Sequence, residues 1–198
     1  MAEQNPPQAV IIAGPNGSGK STSATGLLPP GMPFVNADMI ATELSGIPGT
    51  AGDINAGRLL IDRVRQHEID RVDFAFETTL ATRMLLTRVK EWKEMGYEVH
   101  LLYFWLPSDE LAIHRVRSRV LNGGHHVPDE TVRRRYKSSL SHFFNLYRHA
   151  AHTWRIYDNS GAGDPVLIAK LGRSGVVTVS KEELWTQLLK EYSDEEAD

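Results

Sequence analysis

Near its start the chain carries a glycine-rich segment whose spacing suits the binding of phosphate groups. The segment GPNGSGKS fits the pattern G-x-x-x-x-G-K-[ST], follows the apolar run AVIIA and precedes a helical pattern. Glycines let backbone N–H groups turn inwards and approach an anion, and the helix adds the positive end of its dipole. In such a loop, Lys20 reaches the β- and γ-phosphates and the Ser21 hydroxyl holds Mg²⁺. The pattern predicts ATP and Mg²⁺ as cofactors, with nucleotide-binding residues Gly14, Pro15, Asn16, Gly17, Ser18, Gly19, Lys20, Ser21 and Thr22.

Two carboxylates follow short apolar runs that are typical of strands. Asp38 stands in VNADMIA and Glu77 in DFAFETTL. The carboxyl ends of parallel strands form the rim where ligands bind. A carboxylate there takes the proton of an acceptor hydroxyl, so we predict that Asp38 is the catalytic base; capping of a helix is the alternative role. Glu77 and Thr78 are predicted to bind the acceptor, and a solvated strand end is the alternative for Glu77.

The segment HRVRSRVLNGGHHVPDETVRRRY is rich in arginine and has a Gly-Gly break at its centre. Arg115 and Arg119 stand four residues apart, so they share one face of a helix. We predict two helix ends joined by a glycine hinge, a lid over about residues 115–140 that carries guanidinium groups onto the transferring phosphate. Arg119 and Arg134 are assigned to that catalytic role, and Arg115 to the nucleotide. Two ordinary charged surface helices are the alternative.

Two further groups of polar residues were considered as ligand contacts. Asn159 and Ser160, in WRIYDNSG, are candidates for contact with the adenine ring, although turn chemistry alone also favours Asp-Asn-Ser-Gly. Eight histidines include the pair His125 and His126 in the predicted lid. No histidine pair has convincing zinc spacing with a third ligand, so we predict no zinc site.

Short β-rich runs alternate with helical patterns along residues 9–192, which we predict to form one domain. This order predicts an α/β fold of the P-loop NTPase/kinase type, with a parallel five-stranded sheet and helices on both faces. PVLIAKLG and GVVTVS predict a small late hairpin at the sheet edge. The expected strands of the parallel sheet are Ala9–Ala13, Pro33–Asn36, Asp73–Glu77, Glu98–Leu106 and Thr153–Tyr157.

The ends of the chain are predicted to be flexible tails, over residues 1–8 and over the acidic residues 193–198. Ser180 and Glu183 have the spacing of a capping box for the last helix.

Composition limits the class of protein further. The chain has 198 residues, of which 41% are hydrophobic and 24% charged, so it is long enough to bury a core. A net charge of −3 argues against a nucleic-acid partner or a membrane-surface role. The absence of cysteine excludes disulfides, thiolate zinc sites and a cysteine nucleophile. Without a signal-like start or an apolar run long enough to span a bilayer, we predict a soluble cytoplasmic protein.

Taken in order, AGPNGSGKST, NADMIA, FETTL, the arginine-rich lid and RIYDNS resemble the zeta toxin family of bacterial P-loop kinases over roughly residues 9–160. The resemblance implies a parallel P-loop kinase sheet and transfer of the ATP γ-phosphate to the 3′-hydroxyl of the amino sugar in UDP-N-acetylglucosamine. It also implies that Lys20 and Ser21 act on phosphate and magnesium, Asp38 as base and Glu77 on the acceptor, with two lid arginines on phosphate. An antitoxin partner is not evident, because the first strand begins almost at the N-terminus. A stand-alone kinase that is not a toxin is the alternative.

These observations lead to one functional hypothesis with two alternatives. We expect a Mg²⁺-dependent kinase that phosphorylates a hydroxyl of a small, nucleotide-linked acceptor, with UDP-N-acetylglucosamine or a related UDP-sugar as first choice. The same machinery would serve another acceptor, such as a polynucleotide 5′-end, NAD or a small metabolite. The negative net charge of the chain counts against a polynucleotide as the acceptor. A non-catalytic ATP-binding switch, with the lid as its moving part, is the alternative from another class.

Overall fold

The computed structural model describes residues 5–36 and 53–194, with the backbone alone for 53–57. Within these residues, seven strands form one sheet in the order β2-β3-β1-β4-β5-β6-β7. The first five strands in this order are parallel, and β6 and β7 add antiparallel at one edge. The predicted parallel five-stranded sheet and the late hairpin are therefore confirmed. The strands are β1 Gln8–Ala13, β2 Phe34–Val35, β3 Phe74–Thr78, β4 Glu98–Trp105, β5 Thr153–Asp158, β6 Val166–Leu171 and β7 Val177–Val179.

β4 lies between β1 and β5 at the centre of the sheet and is apolar at nearly every position. Alternate β4 side chains point to opposite faces, and both sets are buried, as the run VHLLYFWL predicts. Leu101 and Tyr103 belong to the larger core cluster on one face, and Leu102 and Phe104 to the smaller cluster on the other. Because both faces of β4 are packed, its position in the sheet is fixed. The position of its carboxyl end, at the rim that carries the candidate site, is fixed with it.

The helices cover the two sheet faces unequally. All of the described helices except α1 contribute to the larger cluster, whereas only Ala24 of α1 joins the smaller one, together with residues of the segment 25–34. Helices on both faces were predicted; on the second face the described cover is this short helix and the connection that follows it. None of the described helices is long and apolar enough to cross a membrane. The helices are α1 Lys20–Ala24, α2 Asp53–Asp70, α3 Leu85–Glu94, α4 Asp109–Leu121, α5 Asp129–His142, α6 Arg148–Ala150 and α7 Glu182–Tyr192.

α5 and α6 are joined by a π-helical turn over Phe143–Tyr147. The neighbouring Phe143 and Phe144 are both fully buried, but they face different partners. Phe143 packs against Tyr103 and Trp154 of the sheet, whereas Phe144 packs against aromatic residues of α7. A wider helical turn lets two consecutive side chains serve both layers.

The predicted capping box at the start of α7 is wrong. Lys181 occupies the N-cap position, and no side chain caps the helix. The backbone N–H groups of Ser180 and Lys181 both donate to the carbonyl of Ile168, at 2.8 and 3.1 Å. These bonds hold Ser180 against β6, one residue too early in the chain to cap the helix.

A hydrogen bond between the start of β4 and the residue before β5 predicts a pH dependence of stability. The Val99 N–H donates to Nδ1 of His152 at 2.9 Å, so this ring nitrogen must be unprotonated. Desolvation, followed by the nearby Lys93 ammonium, lowers the pKa of His152. We expect the free energy of unfolding to be constant at high pH, and to fall as the pH drops below about 6.5, the ordinary histidine pKa, until the lowered folded-state pKa is reached.

Urea denaturation between pH 8 and pH 5 measures this effect. In His152→Asn the Oδ1 atom takes the place of Nδ1 as an acceptor that does not titrate, so the pH slope should become shallower. The pKa of His100 is also lowered by burial, and its contribution should remain in the variant. His114→Asn, at an exposed position on α4, is the control. An unchanged slope in His152→Asn would refute the assignment.

Candidate functional site

Three glycines of the loop between β1 and α1 (the P-loop, residues 14–21) pack too closely against the rest of the fold to carry a side chain. A Cβ atom on Gly14 would lie 2.4 Å from the carbonyl oxygen of Phe104, and one on Gly17 would lie 2.5 Å from that of Ala112. On Gly19 it would lie 2.5 Å from Nδ2 of Asn159. All three have positive φ, at 143°, 77° and 76°. The loop thus needs glycine both for its backbone conformation and for its neighbours.

The helix that follows the P-loop is short. α1 has five residues and ends at Ala24, before Gly26 and the Pro29–Pro30 pair. The predicted helix is present, but with fewer than two turns its aligned peptide dipoles sum to less than those of a long helix. The N–H groups of the loop itself must therefore provide most of the backbone contribution to the binding of a polyphosphate. Thr22 lies on the exposed side of α1.

Lys20, Ser21, Asn36 and Glu77 form one polar cluster where β1, β2 and β3 end. The buried Lys20 ammonium donates to the carbonyl of Pro15 at 2.9 Å and lies 3.6 Å from Oε1 of Glu77. Oε2 of Glu77 accepts from the Ser21 hydroxyl and from Nδ2 of Asn36, both at 2.6 Å. The sequence correctly placed Glu77 at the rim, but its carboxylate also contacts Lys20 and Ser21, the residues predicted to act on phosphate and Mg²⁺. Asn36 was missed, although it stands two residues before Asp38 in the segment NAD.

The Ser21 hydroxyl and the Glu77 carboxylate are oxygen ligands of the kind that Mg²⁺ prefers. Both lie beside Lys20, where the glycine cradle would bring a β–γ phosphate, so these residues fit the Mg–ATP that the P-loop implies. Elsewhere in residues 5–36 and 53–194, no group of three or more His, Asp or Glu side chains is arranged as a metal site.

A cavity of about 600 Å³ opens beside this cluster. It contains the polar ends of Lys20 and Glu77 on one side and arginines and histidines of the predicted lid on the other. Glu77 is the one acidic residue among its described lining, which is otherwise cationic or neutral. The lining residues are Asn16, Gly17, Lys20, Asn36, Glu77, Thr78, Thr79, Arg119, His125, His126, Val127, Pro128, Thr131 and Arg135.

Of the two arginines assigned to the transferring phosphate, the structure places only Arg119 at this cavity. Arg134 is exposed and is not part of the lining, whereas Arg135 is and donates to Oδ1 of Asn16 at 3.3 Å. The reason is the helical period of α5. Its buried stripe of Val132 and Tyr136 puts Arg134 on the opposite side of the helix and Arg135 at the flank. The structure therefore does not bring Arg134 to the cavity, and Arg135 lies there in its place.

The two helices predicted to form a lid are both packed into the main core. α4 buries Ala112, Ile113 and Val116, and the Tyr136 hydroxyl of α5 donates to the carbonyl of Leu106 at 2.8 Å. Arg133 of α5 also bridges to Asp109 and Glu110 at the start of α4, and its hydrogen bond lowers the pKa of Glu110 to about 2. A hinged movement of residues 115–140 as a unit would break these contacts.

The Gly-Gly break ends α4 and lets the chain pass beside Arg119. The N–H groups of Gly123 and Gly124 donate to the carbonyls of Val120 and Arg119 at 3.0 and 2.9 Å. A Cβ on Gly124 would lie 2.5 Å from Cγ of Arg119. Nη2 of Arg119 in turn donates to the carbonyl of His125 at 3.0 Å. The connection 122–128 is thus held against the arginine that lines the cavity.

Arg115 and Asn159 tie the P-loop to the loop after β5. Both nitrogens of the Arg115 fork donate to this loop, to the carbonyl of Asn159 at 2.7 Å and to that of Ser160 at 2.8 Å. Nδ2 of Asn159, which is buried, donates to the carbonyl of Ser18 at 2.6 Å. The structure therefore brings both predicted nucleotide-binding residues next to the P-loop. Their role towards adenine stays a prediction.

The remaining predicted residues are Thr78 and Asp38. Thr78 lines the cavity, and its Oγ1 accepts from the N–H of Leu80 at 3.1 Å. Leu80 is buried and has a φ of 57°, a conformation that L-residues adopt at a cost of roughly 1–2 kcal/mol. It anchors the loop that presents Thr78 and Thr79. Asp38, the predicted base, lies outside the described residues, so its role also stays a prediction.

Comparison with known proteins places the chain in a family. The model of a family described as "AAA domain" matches residues 10–142, more than half of the chain. The chain belongs to this AAA domain family. An uncharacterized protein of Haemophilus influenzae is 32% identical over 133 residues, which cover 65% of this chain and 92% of that protein. Family membership rests on the P-loop domain and leaves the reaction open.

Solved structures share the fold at low sequence identity. A chain of the AvrRxo1-ORF1:AvrRxo1-ORF2 complex with ATP has a TM-score of 0.70 at 18% identity, covering 97% of this chain and 66% of that one. A chain of the PezAT chromosomal toxin-antitoxin system of Streptococcus pneumoniae has a TM-score of 0.63 at 15% identity, and the match covers 98% of this chain and 81% of that one. The chain spans slightly less than two thirds of the AvrRxo1 chains it matches. The fold is therefore that of P-loop kinases, as the motifs predict.

The packing of Gly17 predicts a loss of both ATP affinity and stability in Gly17→Ala. Gly31 has almost the same φ, 81° against 77°, but a Cβ there would meet nothing within 4 Å. Both alanine variants should lose about 1 kcal/mol through backbone strain. Gly17→Ala should lose about 1–3 kcal/mol more through the contact with Ala112, and its Kd for ATP should rise at least about tenfold.

Urea denaturation and calorimetric titration with ATP measure the two effects. Since Gly31→Ala shares the strain but lacks the contact, the difference between the variants isolates the packing of the loop. Equal losses of stability, with unchanged ATP affinity in Gly17→Ala, would show that the loop relaxes freely.

Proposed function

We propose that this protein is an ATP-dependent kinase that phosphorylates a hydroxyl group of a small acceptor. The observation that carries the proposal is the position of the cavity. Lys20 and Glu77 belong both to the phosphate-binding cluster and to the wall of the cavity, so the γ-phosphate held by the P-loop would face the cavity directly. An acceptor in the cavity would meet that phosphate between Glu77 and two arginines.

The acceptor oxygen would attack the γ-phosphorus, and the bond from that phosphorus to the bridging oxygen of ADP would break. Lys20, Arg119 and Arg135 would stabilise the charge on the transferring group, which is the main contribution that proteins make to phosphoryl transfer. Mg²⁺ at Ser21 and Glu77, when bound, would neutralise phosphate charge.

The acceptor hydroxyl must lose a proton, and we assign this proton to the carboxylate of Asp38. Support comes from the sequence and from the neighbouring strand end. Asp38 follows Asn36 by two residues, and Nδ2 of Asn36 lies 3.1 Å from the Ser21 hydroxyl and 2.6 Å from Glu77. Glu77 and Thr78, both in the cavity wall, would position the acceptor.

A nucleotide-linked acceptor, first of all a UDP-sugar such as UDP-N-acetylglucosamine, is our first choice. The motifs resemble those of the zeta toxin family, and the PezAT toxin-antitoxin structure shares the fold. A cavity of about 600 Å³ is within the usual range for small-molecule sites, and its excess of cations suits an acceptor that carries phosphate. A partner protein of the antitoxin type is part of the same proposal.

The acceptor and the base are tested together. The protein is incubated with Mg²⁺, ATP and, separately, UDP-sugars, NAD, a 5′-hydroxyl oligonucleotide and a panel of metabolites, and the products are read by mass. We expect a gain of one phosphate on a UDP-sugar and a loss of roughly 10²–10⁴-fold in rate for Asp38→Asn, with ATP affinity kept. Phosphorylation of another compound in the panel would overturn the acceptor but keep the kinase.

Slow ATP hydrolysis that no acceptor stimulates, and that is unchanged in Asp38→Asn, would contradict the kinase. It would favour the non-catalytic ATP-binding switch.

The neighbouring arginines of α5 give a matched pair of variants. Arg135→Ala should reduce the rate of transfer by about 10²–10³-fold, because Arg135 lines the cavity, whereas Arg134→Ala should stay within about twofold of wild type. Both variants remove one positive charge from adjacent positions of one helix. Steady-state kinetics with saturating ATP measures the effect, and a larger loss in Arg134→Ala would reverse the assignment.

A further inference from the structure

A second cavity lies at the opposite end of the sheet from the P-loop. It has a volume of about 360 Å³ and is lined by residues near the start of parallel strands, among them Gln8 of β1, His100 of β4 and Thr153 of β5. Parallel strands begin at one edge of a sheet and end at the other, so this far-side groove is separated from the candidate site by the length of β1.

The far-side groove lies beyond the end of the short helix α1. It lies on the sheet face of Val10 and Leu102, the face of the smaller core cluster. After α1 ends, the chain supplies Leu27, Leu28 and Pro29 as one apolar wall of the groove. The opposite wall is formed by residues of β5, β6 and the turn after β6.

That second wall carries an unusual pair of charges. Arg155 of β5 lies directly opposite Lys170 of β6 in the antiparallel register. Like charges at directly opposite positions destabilise a sheet. Neither side chain makes an ion pair or hydrogen bond with any residue in the part of the chain that the structure describes. The nearby Arg173 donates to Glu98 at 2.5 Å, so that cation is already compensated.

His100 is a further polar residue of the groove, beside Gln8 and Thr153. Its Nδ1 lies 2.8 Å from the Thr153 hydroxyl, and its buried Nε2 lies 3.6 Å from Oε2 of Glu98. Glu98 is thus shared between Arg173 and His100 and does not reach across to the charged pair. The exposed Arg155 and the half-buried Lys170 leave two positive charges side by side at the wall of a pocket of ligand size.

We propose that the far-side groove is a binding site for a small phosphate monoester, distinct from the nucleotide and acceptor sites. Arg155 and Lys170 would hold the phosphate, since an arginine fork gives two parallel hydrogen bonds and a lysine a point charge. The apolar wall of Leu27, Leu28 and Pro29 would cover the organic part of the ester. The proposal does not depend on the phosphotransfer reaction.

A small anion suits this site better than a nucleic acid. The groove offers two uncompensated cations over a short distance, whereas a nucleic-acid surface needs a longer basic track. The chain as a whole has a net charge of −3, which would repel a polyanion that extends beyond the groove.

The test uses the full chain with Mg²⁺ and a saturating non-hydrolysable ATP analogue, so that added anions do not compete for the P-loop. Phenyl phosphate and inorganic phosphate are titrated by calorimetry into wild type, into Arg155→Gln/Lys170→Gln and into Lys90→Gln/Lys190→Gln. The last variant is the control, because it removes the same two charges from exposed helix positions outside the groove.

We expect wild type and the control to bind phenyl phosphate, and to bind it several-fold more tightly than inorganic phosphate. Arg155→Gln/Lys170→Gln should lose at least about tenfold in affinity while its Kd for the ATP analogue is unchanged. Equal binding by the groove variant and wild type, or no binding by wild type, would overturn the site. Equal affinity for phenyl phosphate and inorganic phosphate would show that the groove does not bind the organic part of an ester.

A second measurement examines the charge pair without ligand. At low salt, where exposed charges are least screened, Lys170→Gln should raise the midpoint of thermal unfolding, because it removes a like-charge repulsion. Added phenyl phosphate should raise the midpoint of wild type but not of Arg155→Gln/Lys170→Gln. A lower midpoint in Lys170→Gln would show that the pair is compensated and would contradict the proposal.

Discussion

Close packing of the P-loop backbone against three other elements is the constraint on which the site depends. The end of β4, the first turn of α4 and the loop after β5 each approach one glycine so closely that no Cβ atom fits. These three elements also carry the groups that surround the loop, including Arg115 and Asn159. The glycines therefore do more than admit a phosphate. They let the arginine-bearing helix and the last parallel strand come within reach of the same nucleotide.

The charge balance of the site follows from this packing. The Lys20 ammonium is buried, and a buried cation is costly unless it is paired. Glu77 and the carbonyl of Pro15 supply that pairing, and Ser21 and Asn36 satisfy the other oxygen of Glu77. A bound polyphosphate would enter a cluster that is already neutralised. It must then share Lys20 with Glu77, and this sharing is eased if a divalent cation takes up part of the carboxylate charge.

The local sequence pattern was enough to predict most of the sheet, because strands that are buried on one or both faces have a recognisable composition of apolar residues. The five parallel strands, the late hairpin and the position of Glu77 at the rim all follow from runs such as AVIIA, DFAFET and VHLLYFWL. Arg135 was also within reach: the stripe of Val132 and Tyr136 puts Arg134 opposite the core, and only the period had to be applied to the three arginines.

Other features depend on contacts that no local pattern contains. The capping box failed because two backbone bonds to β6 hold Ser180 away from the helix. The facing of Arg155 and Lys170 depends on the register of β5 with β6, including a bulge next to Ile156 and Tyr157. The packing of the two helices predicted to form a lid also depends on which of their side chains reach the core. A glycine pair in the sequence indicates a hinge, whereas here it caps a helix and clears space for Arg119.

The burial of α4 and α5 has a thermodynamic consequence for the arginines they carry. Because packing already fixes the backbones of these helices, a ligand that binds the arginines has to order their side chains but not the chain that carries them. On the proposed function, selectivity among acceptors would then arise where the cavity wall is not part of a buried helix. In this fold that part of the wall is the short connection with His125 and His126, which lies between Arg119 of α4 and Arg135 of α5.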